Sequence, residues 1–172
     1  MVEELAGRGT FHAPLELRHF DRDQKIMANL LLISHGSFAK GLCHSIEMII
    51  GKDQNLLCCM LDENEGLEKF KEDASRILAE IAKSGEKLMI VCDLNFGSPN
   101  VAAFEIACQI LGTENFKMVT GANLPMMLEL CIANQSRPDD LDYLLKKAIS
   151  MGKEGIRDFC PRNTCSDCED SL

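Results

Sequence analysis

Leu30-Leu31-Leu32-Ile33-Ser34-His35-Gly36-Ser37 runs from an uninterrupted apolar stretch straight into small and polar residues. The apolar half reads as a buried strand over Leu30 to Ser34, because a strand covered on both faces needs no polar alternation. Beyond it, Phe38, Leu42, Cys43, Ile46, Ile49 and Ile50 recur at helical spacing, and Gly51 stops that helix. A two-sided strand that turns directly into an amphipathic helix is half of a βαβ unit. Such units build parallel sheets with helices on both faces.

The rest of the chain repeats this pattern. Asn55 to Leu61 is a second strand and Gly66 to Ser84 a helix, with Leu67, Phe70, Ala74, Ile77, Leu78 and Ile81 on one face. Lys87 to Cys92 is a third strand. Pro99 to Leu111 is a helix with Pro in its first turn, and Phe116 to Thr120 a fourth strand. Leu124 to Ala133 is a short helix, and Arg137-Pro138-Asp139-Asp140 opens another that runs to about Gly152. Gly155 to Phe159 reads as a last short strand. The expectation is therefore one α/β domain, 27–159, with a mostly parallel sheet and helices on both faces. Residues 1–26 lack any period and read as an added upstream segment or a disordered tail. Residues 160–172 form a Cys-rich acidic tail.

Composition narrows the function classes. A chain of 172 residues with a formal charge of −9 is large enough for a sizeable core and poorly suited to nonspecific nucleic-acid binding, which needs clustered Lys and Arg. The nine cysteines are an odd number. Cys43, Cys58, Cys59, Cys92, Cys108 and Cys131 lie in apolar runs, where a thiol packs as a small hydrophobe. That usage predicts a reducing cytoplasm rather than a disulfide framework. Leu30 to Ile33 is far too short to span a bilayer.

In open parallel sheets, ligands sit outside the carboxyl ends of the strands. Three segments are placed there: Ser34-His35-Gly36-Ser37, Asp93-Leu94-Asn95-Phe96-Gly97-Ser98 and Gly121-Ala122-Asn123. Strands one and three are commonly neighbours, which would bring His35 to Asp93. A carboxylate on one ring nitrogen fixes the tautomer and frees the other nitrogen as a nucleophile. Gly36 and Gly97 permit close backbone approach, and Ser37 and Ser98 offer hydroxyls. Helix starts near Ser37 and Pro99 aim free amides at an anion. The loops supply neither a second carboxylate for magnesium nor a Lys or Arg before Lys40. The pattern fits reversible handling of a phosphoryl group with no metal and no cofactor.

The segment Leu31 to Leu42 resembles the opening of enzyme IIA domains of the mannose/fructose/sorbose family of the bacterial phosphotransferase system. Asp93 to Asn100 resembles that family's aspartate loop, Gly121 to Glu129 its third signature, and Gly152 to Ile156 its closing segment. The resemblance spans about residues 28–159 in order. It implies a sheet whose C-terminal edge strand is exchanged between two subunits of a homodimer. It implies that His35 is phosphorylated by the phosphocarrier HPr and passes the group to an enzyme IIB domain, with the membrane components IIC and IID downstream. Asp93 would orient the ring and Ser98 would match the loop serine near the phosphate. Two departures stand out. Phe96 occupies the first of two positions that are usually glycine, and Pro99-Asn100-Val101 replaces a common Pro-Phe-Asn.

Two other readings use the same fold: the phosphotransfer subunit of a dihydroxyacetone kinase, and a noncatalytic regulatory module. The Gly97-Ser98-Pro99 loop and Asn123-Leu124-Pro125 fit the first less well, and the presence of His35 and Asp93 speaks against the second. Cys160, Cys165 and Cys168 lack a fourth zinc ligand of Cys or His type nearby. His44 reads as a helix surface or packed residue, and His12 and His19 fall in the extension. Met126 and Met127 read as core or partner surface, and Asp62-Glu63-Asn64-Glu65 as a solvated turn.

Overall fold

A computed structural model describes residues 27–52 and 54–159. The extension with His12 and His19, and the tail with Cys160, Cys165 and Cys168, lie outside the described residues. The elements alternate as β1 (Asn29–His35), α1 (Phe38–Ile50), β2 (Leu56–Leu61), α2 (Gly66–Ser84), β3 (Leu88–Cys92), α3 (Ser98–Leu111), β4 (Phe116–Thr120), α4 (Leu124–Ser136) and α5 (Leu141–Glu154). The sheet has the order β2-β1-β3-β4, and all pairings are parallel.

The chain reverses its direction of travel across the sheet after β2. Right-handed crossovers then put the connecting helices on opposite faces. α1 packs on one face, and α2 and α3 on the other. Alternate residues of the central strands serve the two cores, as strand geometry requires. Leu30, Leu32, Met89 and Val91 meet α1, α4 and α5, whereas Leu31, Ile33, Ile90 and Cys92 meet α2 and α3. The α4–α5 pair covers the part of the first face that α1 leaves open, through Met127, Leu130, Leu144 and Ala148. Asn134 of α4, itself buried, anchors the start of β1: its Oδ1 accepts from the Ala28 amide at 3.1 Å and its Nδ2 donates to the Ala28 carbonyl at 2.8 Å.

Two sequence expectations are corrected. Gly155 to Phe159 is not a strand within the described chain. Gly155 closes α5, its amide donating to Met151, and Ile156 and Phe159 are 80% and 88% exposed. A strand exists only with a ladder partner, and apolar composition alone does not supply one. The last helix starts at Leu141 rather than at Arg137, because the Asp140 carboxylate accepts from the Tyr143 amide at 2.9 Å and sets the N-terminus there.

Candidate functional site

The sheet order places β1 and β3 side by side where the direction of winding changes. Their carboxyl ends and the loops that follow therefore open a crevice between helices that leave in different directions. The register pairs Ile33 with Cys92, and the Asp93 amide donates to the Ile33 carbonyl at 3.1 Å. That register carries His35 and Asp93 out of the sheet together.

Asp93 is held by several donors at once. Its Oδ2 accepts from the His35 amide at 2.9 Å, and its Oδ1 from the Leu94 amide at 2.7 Å. His35 Nδ1 lies 3.1 Å from Oδ2 and 3.3 Å from Oδ1. The Cys92 thiol points at Oδ1 from 3.5 Å. Burial works to raise the Asp93 carboxyl, but the bonds from the His35 amide, the His35 ring and Cys92 outweigh it and leave the group below its ordinary value. An ionised carboxylate accepts only, so the proton of a neutral His35 ring sits on Nδ1 and Nε2 keeps its lone pair. The imidazole is 43% exposed against 17% for the carboxylate, so the free nitrogen belongs to the solvent-facing member of the pair.

Gly97 supplies the floor under the ring. A Cβ at this position would come within 2.7 Å of His35 Cε1 and 3.2 Å of Nε2. Glycine is required there by close approach and not by torsion, since Gly97 has φ −65°. Gly97 is also the N-cap of α3, so the positive end of that helix lies at Nε2. On the other side, Gly36 takes φ +51° and donates its amide to Leu61 of β2 at 2.9 Å. Ser37 follows as the N-cap of α1, although its hydroxyl makes no capping bond. Thus His35, Asp93 and Gly97 meet at one crevice, while Gly36 and Ser37 follow His35 in the turn to α1 and Ser98 opens α3 next to Gly97.

Sequence reasoning missed Ser34 and Cys92. The Ser34 hydroxyl, fully buried, accepts from the Ala39 amide at 2.9 Å and donates to the Gly36 carbonyl at 3.2 Å. It therefore ties the His35 turn to the first turn of α1. A hydroxyl in an otherwise apolar strand was the only signal. The third loop serves a different purpose. Asn123 caps α4 through the Met126 amide at 3.0 Å and donates to Gly152 at 3.2 Å, so it joins the start of α4 to the end of α5. His44 is an exposed helix residue, Met126 and Met127 are core, and Asp62 folds back on Asn64 in an exposed turn. Among the described residues no group of three or more His, Cys, Asp or Glu is arranged to hold a metal ion, and no helix is long and apolar enough to cross a membrane.

Comparison with known proteins bears on this crevice and its scaffold. The family model described as PTS system fructose IIA component matches residues 29–148. The mannose-specific EIIAB component of the phosphotransferase system of Escherichia coli K12 is 28% identical over 128 residues, which is 74% of this chain and 38% of that protein. The chain thus spans about two fifths of the length of the curated relatives it matches. Among solved structures, the phosphotransferase component EIIA of Streptococcus agalactiae superposes with a TM-score of 0.66 at 22% identity, covering 77% of this chain and 98% of that one. The IIA protein associated with the fucose utilization operon of Streptococcus pneumoniae gives 0.66 at 24% identity, covering 78% and 94%. At these identities the two structures establish the fold.

Proposed function

The chain belongs to the family of PTS system fructose IIA components, and from that premise we propose that it carries a phosphoryl group on His35 Nε2 between two partner proteins. The observation that carries this reading is the Nδ1 contact to Asp93 at 3.1 Å, which leaves Nε2 as the only nucleophilic ring atom.

The donor is a phosphohistidine of HPr, and the acceptor is a histidine of an enzyme IIB domain coupled to the membrane components IIC and IID. His35 Nε2 attacks the phosphorus in line with the donor's P–N bond. That bond breaks as the new P–N bond forms, and the donor ring recovers its electron pair. Positive charge then accumulates on the His35 ring. Asp93, already ionised, stabilises it through the Nδ1 proton without taking that proton away. The amides at the starts of α1 and α3, with the Ser37 and Ser98 hydroxyls, receive the phosphoryl oxygens. These are neutral donors, each exposed helix terminus contributing roughly 0.3–1 kcal/mol toward an anion. A neutral cradle holds the group long enough to orient it and lets it leave in the second, symmetrical transfer. Neither step needs a metal or a cofactor. The working unit is a homodimer in which the segment from Gly155 to Phe159 of each subunit pairs with the sheet of the other. The relay operates in the cytoplasm.

HPr phosphorylated beforehand and purified, then mixed with the chain in EDTA, should add one acid-labile phosphoryl group to its intact mass. His35→Ala should abolish the gain and His44→Ala should leave it. Label that survives His35→Ala, or a strict metal requirement in this isolated step, would refute the proposal.

A further inference from the structure

Cysteine placement in this fold is uneven. Along α1, Ala39, Leu42, Cys43, Ile46 and Ile50 turn toward the sheet. Along β2, Leu56, Cys58 and Met60 turn toward α1, and Leu57, Cys59 and Leu61 toward the opposite core. Helix register and strand alternation therefore bring Cys43 and Cys58 together, with Sγ to Sγ at 2.7 Å. A disulfide bond is about 2.05 Å long, so only a small approach of the two sulfurs separates the thiol pair from a covalent bond. Both residues are half-buried, and β2 is an edge strand, so a small oxidant can reach them.

We propose that Cys43 and Cys58 form a two-thiol oxidation site that reduces a peroxide and closes an intramolecular disulfide. The Cys58 thiolate attacks one peroxide oxygen and the O–O bond breaks. One oxygen remains on sulfur as a sulfenic acid, and the other leaves as water with the proton Cys58 gave up. Cys43 then attacks the Cys58 sulfur, the S–O bond breaks, and a second water leaves with the Cys43 proton. The pair loses two electrons and two protons, and hydrogen peroxide becomes two waters. The direction of attack follows from the close contact of the two thiols at 2.7 Å, which holds Cys58 below its ordinary value and Cys43 above it. Burial pushes the thiols of Cys59 and Cys131 up to about 12 and that of Cys92 to about 11, which leaves Cys58 the reactive member among these. The bond would fasten α1 to β2, the two elements that hold the His35 turn through the Ser34–Ala39 and Gly36–Leu61 bonds.

The test uses the full chain with Cys160, Cys165 and Cys168 changed to Ser, so that the tail cannot exchange disulfides. After brief exposure to hydrogen peroxide, free thiols are blocked with N-ethylmaleimide and the tryptic digest is read by mass spectrometry. Peptides 41–52 and 53–69 should be joined, dithiothreitol should separate them, and Cys59→Ser should leave the link intact. Cys43→Ser and Cys58→Ser should each lose it, and in Cys43→Ser a dimedone adduct should mark Cys58. Closing a loop of this length should raise the melting temperature of the oxidised protein by about 5–10 °C, reversibly. Sulfinic acid accumulating on Cys58 with Cys43 still free, or a link that runs through Cys59 or Cys131, would overturn the proposal.

Discussion

Asp93 is better buttressed than a rim residue needs to be. Two backbone amides and the imidazole all donate to it, so its replacement touches both stability and chemistry. Asp93→Asn should slow transfer from phosphorylated HPr on the order of 10²-fold, by removing the charge that faces the developing imidazolium. It should also cost about 1–3 kcal/mol, because an amide nitrogen would confront backbone donors. The folded carboxyl sits below its ordinary 3.8, so the unfolded chain takes up this proton first on acidification. The stabilising contribution is complete well above 3.8 and disappears as pH falls through the lower folded value. In urea titrations the gap between wild type and Asp93→Asn should be constant near neutral pH and narrow in acid; an unchanging gap would refute the linkage. Gly97 tests the ring's position separately. Gly97→Ala fits the local φ of −65°, so the fold should survive, but its Cβ would meet Cε1 at 2.7 Å. Displacing the ring by even about 1 Å should reduce the transfer rate roughly 10²-fold, with far-ultraviolet circular dichroism unchanged.

At the level of elements, the loop into α3 is strained. Phe96 takes φ +58°, a left-handed conformation that costs a bulky residue about 1–2 kcal/mol, and its side chain is 84% exposed, so packing returns little. Phe96→Gly should relieve the torsion at the expense of unfolded-state entropy and stabilise the fold by about 0.5–1 kcal/mol in thermal melts; a loss of stability would mean that the ring makes contacts worth more than the strain. The nine observed elements were legible from apolar runs bounded by turn residues or from helical spacing, with boundaries within a few residues of the expected ones, whereas the expected strand Gly155 to Phe159 was read from apolar residues alone and has no ladder partner among the described residues. The meeting of His35 with Asp93 was legible because each ends an apolar run in a sheet whose strands one and three adjoin. What stayed hidden depends on three-dimensional contact. The Gly97 floor, the Ser34 staple and the Cys92 thiol act through atoms that no spacing rule brings together. The Cys43–Cys58 pair reads in sequence as two small hydrophobes, and becomes a pair only when α1 settles on β2.

At the scale of the whole molecule, the sheet has two edges, β2 and β4, and a strand edge left with unpaired amides and carbonyls invites pairing with another chain. The chain leaves α5 next to the second of them. A Cβ on Gly155 would meet Pro125 Cγ at 2.5 Å, and Pro125 lies in the first turn of α4, directly after β4. From there Ile156 and Phe159 carry apolar side chains into solvent at 80% and 88% exposure. Among the described residues nothing covers those side chains. A twofold partner would, because a symmetric exchange satisfies the same edge and covers the same side chains twice. Light scattering at micromolar protein should therefore report twice the chain mass, and a clean monomer would defeat the exchange. Each large apolar side chain buried in such a contact is worth about 1.5–3 kcal/mol. Changing Ile156 and Phe159 together to Ser should weaken the dimer by on the order of 10²-fold or more, and deletion from Gly155 onward at least as much. Because these residues lie outside the His35 crevice, the doubly substituted chain should still accept a phosphoryl group from HPr at a concentration where it is monomeric. Loss of transfer in that monomer would mean that the partner subunit helps to form the site, and would move the dimer from scaffold to mechanism.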